Sequence, residues 1–167
     1  AAVGKNLSPA LPDVEVVDGS GLTALPGLVD QHVHFTGGGG ECGFRSRVPE
    51  LSLTDFTTAG VTTAVGVLGT DSATRSPKNL LARTKALNEE GITAYCLTGA
   101  YDVPSPTVTG SLKDDVAFIS EILGVKVALS DHRSGHPSLE QLIHMASQVR
   151  LGALTAGKPG VVHIHMG

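Results

Sequence analysis

From residue 25 to the end of the chain, short apolar runs rich in β-branched residues alternate with helix-forming stretches. Residues 27–34, 61–68, 92–98, 125–129 and 160–165 read as strands. Residues 50–59, 76–90, 112–123 and 138–151 read as helices. Ser76-Pro77 and Gly91 bracket the second of these as cap, first turn and stop. Gly60 and Gly124 close the first and third. In the fourth, Leu139, Leu142, Ile143, Ala146 and Val149 form an apolar stripe. A strand that must travel through a helix before the next strand pairs in parallel, so the alternation points to βαβ units and away from all-helical or hairpin-built folds.

The composition agrees with sheets buried on both faces. Hydrophobic residues make up 41% of the 167 and aromatic residues only 4%, with no Trp, so the core must be built from Val, Leu, Ile and Ala. Residues 1–24 differ from the rest. Pro9, Pro12, Gly19 and Gly21 surround Val14-Glu-Val-Val17, which reads as one short strand among turns. Sixteen acidic against twelve basic residues give a net charge of −4, which disfavours nucleic acid and anionic lipid as partners. No apolar run reaches the ~20 residues that span a bilayer, and no secretory leader is visible. Cys42 and Cys96 are too few for a disulfide framework, which suggests a reducing, cytoplasmic setting.

Five strands complete a doubly wound sheet, whereas a closed (β/α)₈ barrel needs about 250 residues. The chain ends at Gly167, two residues past a histidine on a strand. The expectation is therefore a piece of a longer protein.

The polar residues at the strand ends carry the chemistry. His32 and His34 lie two apart on a strand and share a face, a spacing from which imidazoles can converge on zinc; a solvated strand face is the alternative. Lys126 interrupts an apolar strand, where a bare cation is costly. It is paired with an acid, on a wet face, neutral, or carboxylated by carbon dioxide. His163 and His165 repeat the two-residue spacing, and one of them can complete a metal site. Gly37-Gly-Gly-Gly-Glu41 follows the first strand directly, where ligands bind parallel sheets; its alternative is a flexible linker. Thr70, Tyr101 and Arg133 follow later strands. A tyrosine hydroxyl can polarise a carbonyl and an arginine can clamp a carboxylate.

Taken together, Pro26-Gly-Leu-Val-Asp-Gln-His-Val-His34, a lysine on the fourth strand and a histidine on the fifth resemble the amidohydrolase superfamily of metal-dependent hydrolases. Gly37-Gly-Gly-Gly-Glu41, Gly66-Val-Leu-Gly-Thr-Asp71, Thr98-Gly-Ala-Tyr101, Ser130-Asp-His-Arg133 and His165-Met-Gly167 are similar to its isoaspartyl (β-aspartyl) dipeptidase family, over residues 22–167.

The resemblance implies an α/β fold: a (β/α)₈ TIM barrel, of which residues 25–167 are about the first five units. Residues 1–24 would be part of an N-terminal β-sandwich. It implies two zinc ions, with His32 and His34 on one, carboxylated Lys126 bridging both, and His165 on the other; His163 falls outside the match. Gly39, Gly40 and Glu41 would hold the substrate's α-amino group, and Thr70 and Arg133 would contact the substrate. Tyr101 would stabilise the oxyanion while a metal-bridging hydroxide attacks the isopeptide carbonyl. The partners implied are a small dipeptide substrate and further copies of the chain. A histidine on the sixth strand and an aspartate on the eighth, which the superfamily requires, are not in this sequence, so these residues alone are expected to be inactive. Two other readings stand beside this one. The first is an amidohydrolase acting on cyclic amides such as hydantoins or dihydropyrimidines, where Glu41 would have no amine to hold. The second is a non-catalytic five-stranded domain.

Overall fold

The computed structural model describes residues 3–5, 7 and 12–167. Five strands form one sheet: β1 (Leu28–Val33), β2 (Val61–Gly66), β3 (Thr93–Gly99), β4 (Ile122–Leu129) and β5 (Val161–Met166). Their spatial order is their chain order, and every neighbouring pair is parallel. A doubly wound sheet reverses its strand order at a switch point. This one does not, so the right-handed crossovers carry every helix to one face. On that face α1 (Leu53–Thr57), α2 (Pro77–Glu90), α3 (Leu112–Phe118) and α4 (Leu139–Ala156) cover the sheet. Ala64, Ala94, Cys96, Val125 and Val127 from the strands meet Leu80, Leu87, Val116, Met145 and Val149 from the helices in a single core.

The sheet is strongly rolled. In a flat sheet the outer two of five strands lie about 19 Å apart, at ~4.8 Å per spacing. Here His32 on β1 and His163 on β5 touch across the concave face, with Nδ1 of one 2.9 Å from Nε2 of the other. The result is a half-barrel with an open inner face. Val29, Thr63, Tyr95, Leu123 and His163 border a cavity of about 330 Å³ there.

Two irregularities decide which side chains face inward. Between Asp30 and Val33, β1 advances three residues while β2 advances two. Between Ile122 and Val125, β4 advances three while β3 advances two. An extra residue reverses the inside–outside phase of all that follows. Ile122 and Val125 therefore both enter the helix-side core, while Lys126 turns to the inner face with Leu123. The shift in β1 likewise leaves Val33 in the core, between the inward-facing His32 and His34.

Several sequence expectations need correction. The third helix stops at Phe118, and the residues read as its last turn begin β4. Gly124 is not a helix stop but lies inside β4, where a Cβ would sit 1.9 Å from the carbonyl oxygen of Val161. The fourth helix runs past Gly152 to Ala156 and ends at Gly157, whose φ of 66° is left-handed. Gly152 has no room for a side chain because α4 crosses α3 there: a Cβ would lie 2.4 Å from the Lys113 carbonyl. The buried stripe of α4 is Met145, Val149, Gly152 and Ala153, while Leu139 and Ile143 are exposed. Val14–Val17 form no strand and lie exposed, having no partner strand to pair with among the described residues. Pro9 lies outside the described residues. Among the described residues no helix is long and apolar enough to cross a membrane.

The close approach at Gly124 gives a direct test. Gly124→Ala is expected to destabilise the full-length protein by about 1–3 kcal/mol in chemical denaturation. Gly19→Ala, with open space around it, should stay within about 0.5 kcal/mol of wild type. Equal stability of the two variants would contradict the β4–β5 packing.

Candidate active site

The polar residues singled out in the sequence gather at the carboxyl ends of the strands and on the inner face. His32 and His34 project from the end of β1 with ring centroids 5.4 Å apart. Both imidazoles are held below the usual pKa of 6.5, His32 at about 4, first by burial and then by the nearby Lys126. Neutral imidazole is the form that binds a metal.

Lys126 is fully buried, and its Nζ has no hydrogen-bond partner among the described residues. Burial lowers its pKa from 10.5 to about 8. Among the alternatives the sequence left open, an ion pair with an acid is thus not made among the described residues. The ammonium lies 5.1 Å from the centre of the Tyr101 ring, which follows β3. Tyr101 also stacks on His165, at 5.1 Å between centroids. His165 projects from β5.

A second group of residues borders this one. Glu41, on the glycine loop after β1, accepts a hydrogen bond from the Thr70 hydroxyl at 2.7 Å. Arg133 Nη1 lies 3.0 Å from each of its carboxylate oxygens. These two partners hold the Glu41 carboxyl below the usual carboxylate range. Gly39 and Gly40 have φ of 71° and 95°, conformations that suit glycine. A Cβ on Gly39 would lie 2.7 Å from the Ser46 carbonyl, and the Gly40 N–H is donated to that same carbonyl at 3.3 Å. His34, Gly39, Glu41, Thr70, Tyr101, Arg133 and His165 all line one cavity of about 240 Å³.

Two features were not found in the sequence. Asp131 is buried and accepts from Arg133 through Nε at 2.8 Å, Nη2 at 2.5 Å and the backbone N–H at 2.9 Å. Nε2 of His165 also lies 2.9 Å from it, and Nδ1 of the exposed His132 lies 3.5 Å away. Arg133, the first and largest influence, and His165 hold its carboxyl well below the usual range. Its signal was the two-residue spacing to Arg133. His163, outside the family match, faces the same interior and contacts His32. Arg75, four residues after Asp71, is the other feature that the sequence did not show. Of the two thiols, Cys96 is buried in the core and pushed up to about 12 by that burial, while Cys42 is exposed.

The chain matches no family model. It is 49% identical to a crystallised β-aspartyl dipeptidase from the thermophilic, keratin-degrading Fervidobacterium islandicum AW-1, with a TM-score of 0.84. The same enzyme in complex with a β-Asp-Leu dipeptide gives 0.83 at the same identity. The chain resembles part of a β-aspartyl dipeptidase. The match covers 86% of this chain and 39% of that one. It is also 32% identical over 117 residues to imidazolonepropionase, another amidohydrolase, from Colwellia psychrerythraea, covering 62% of this chain and 27% of that protein.

The likeness to a β-aspartyl dipeptidase raises the question of a metal. Among the described residues no three His, Cys, Asp or Glu side chains converge closely enough to hold an ion by themselves. Two observations nevertheless fit a metal. The buried Lys126 Nζ and His34 Nδ1 both lack partners, and such groups are costly unless something completes them. A carbamate on Lys126 would add the oxygen donors that the histidines lack. The donor set is thus partial and of the right chemistry.

An unpartnered buried ammonium predicts its own removal. With metal stripped by chelator, Lys126→Met should stabilise the full-length protein at pH 7, by about 1–3 kcal/mol on the scale of its pKa shift. The unfolded state holds this proton up to pH 10.5 and the folded state only to about 8. Wild-type stability therefore rises through that window, and the gap should close by its upper end. Denaturation at pH 7 and 10.5 checks both; loss of stability in the variant at pH 7 would contradict the unpaired state.

Proposed function

We propose that the full-length protein hydrolyses the isopeptide bond of β-aspartyl dipeptides at a centre of two divalent metal ions, zinc by the family resemblance. The observation that carries this reading is the Glu41–Thr70–Arg133 cluster set directly beside the inner-face histidines and lysine. A β-aspartyl dipeptide carries a free ammonium and free carboxylates close to the scissile amide. Glu41 supplies a carboxylate for the ammonium, and Arg133 a fork suited to a carboxylate. The likeness to a structure holding β-Asp-Leu supports the same substrate class.

The chain's residues divide the work. His32, His34, His165 and carboxylated Lys126 would hold the metals, which when bound supply Lewis acidity and lower the pKa of water. Tyr101 stands over Lys126 and His165, with its phenol pKa raised by burial. It therefore stays protonated at neutral pH and can donate to the carbonyl oxygen as charge develops there. Asp131 holds the Arg133 fork in place through two hydrogen bonds from the guanidinium and a third from the Arg133 backbone N–H. No residue of this chain is assigned to protonate the leaving amine. The remainder of the barrel is needed for activity, and the 167 residues alone are expected to be inactive.

Hydrolysis of a cyclic amide is the second reading, suggested by the similarity to imidazolonepropionase. Glu41 discriminates between the two. Glu41→Gln in the full-length, zinc-loaded protein should lower kcat/KM for β-Asp-Leu by about 10- to 100-fold, the worth of a hydrogen bond to a charged group. Hydantoin or dihydrouracil should not be turned over by either form. No activity of the wild type on any β-aspartyl dipeptide would sink the proposal; activity on a cyclic amide that survives Glu41→Gln would establish the second reading.

A further inference from the structure

Arg75 is a buried cation to which the reading above gives no role. Its side chain is 4% exposed and forms an ion pair with Asp71, 8% exposed, four residues earlier in the turn that precedes α2. The rest of the guanidinium is spent on backbone. Nε donates to the Thr36 carbonyl at 2.6 Å and Nη2 to the Val48 carbonyl at 2.9 Å. Thr36 and Val48 are the two feet of the loop whose tip carries Gly39, Gly40 and Glu41. Asp71 in turn follows Thr70, the residue that grips Glu41. One guanidinium therefore ties both feet of the loop to the segment that holds its tip.

Stability is a weak reason for such an arrangement. Burying an ion pair gains little over burying apolar side chains of the same volume. What a guanidinium adds is direction: several donors in one rigid plane, which a lysine ammonium cannot reproduce. The loop has need of direction. It contains four consecutive glycines, and Gly37, Gly39 and Gly40 all have positive φ. Such a segment has many conformations to lose. Its own backbone contributes a few ties, among them Val48 N–H to the Gly38 carbonyl at 2.7 Å.

We propose that Arg75 is a positioning residue whose fork fixes residues 36–48 so that Glu41 meets the substrate's ammonium, a role that rests on the β-aspartyl dipeptidase reading. Arg75 touches no substrate and acts through the loop. The proposal makes two demands: that the loop loosen when the fork is lost, and that the damage fall on substrates bearing the amine.

Both are measured on the full-length, zinc-loaded protein, comparing wild type with Arg75→Met and Arg75→Lys. In hydrogen exchange read by mass spectrometry, peptides covering residues 37–48 should exchange about tenfold faster or more in both variants, while α2 and β3 keep their protection. In kinetics, Arg75→Met should reduce kcat/KM for β-Asp-Leu by about tenfold or more relative to its effect on succinyl-leucine, the same molecule without the amine. Arg75→Lys should not rescue that ratio. Unchanged exchange of the loop, exchange that rises equally throughout the protein, or equal losses on the two substrates would each overturn the proposal. If the wild type hydrolyses neither compound, the substrate reading fails. The exchange experiment then judges the tie between Arg75 and the loop by itself, supporting it if 37–48 alone loosens and overturning it otherwise.

Discussion

Lys126 is a fully buried amine with no partner among the described residues, held on the inner face of a rolled parallel sheet. A chain does not place a lysine there for stability, since burial opposes the charged form and leaves the neutral form with unmade hydrogen bonds. Much of the architecture nonetheless serves to put it there. The extra residue in β4 turns it inward. The roll of the sheet brings β1 and β5 around it, so that His32, His34 and His163 face the same interior. Tyr101 covers it from the end of β3. A carbamate bridging metal ions would relieve the strain of all these choices together.

Around that centre the loops at the strand ends form a linked set of charges. Glu41 reaches Arg133, Arg133 reaches Asp131, and Asp131 reaches His165. The loop that supplies Glu41 is in turn anchored by Arg75 to the segment after β2. Glu41, Arg133 and the inner-face histidine are thus not separate groups: one carboxylate, Asp131, bonds the arginine and contacts the histidine.

Where local chemistry is strong, the sequence alone located the elements. Ser76-Pro77 and Gly91 mark α2 to the residue, because a cap, a fixed φ and a left-handed stop act within one turn of the backbone. The errors lie where distant contacts decide. Gly124 looks like a helix stop, but it is small because β5 passes against it. The apolar residues of α4 admit two stripes, and only the crossing with α3 at Gly152 selects between them. The same division holds in the site. Histidines and a lysine at strand ends are visible as residue types, and resemblance to a family gives them roles. Asp131 and Arg75 are not visible in that way, since an acid or a base two or four residues from its partner is ordinary on any surface. Only the fold reveals that both are buried and that each is hydrogen-bonded to a neighbouring loop segment.

The most direct test of this account is anomalous X-ray scattering at the zinc edge from crystals of the full-length protein grown with zinc and bicarbonate. The account predicts two peaks on the inner face, one beside His32 and His34 and the other beside His165, with a carboxylated Lys126 between them. An empty inner face, or a bare Lys126 amine paired with an acid from the rest of the protein, would contradict it.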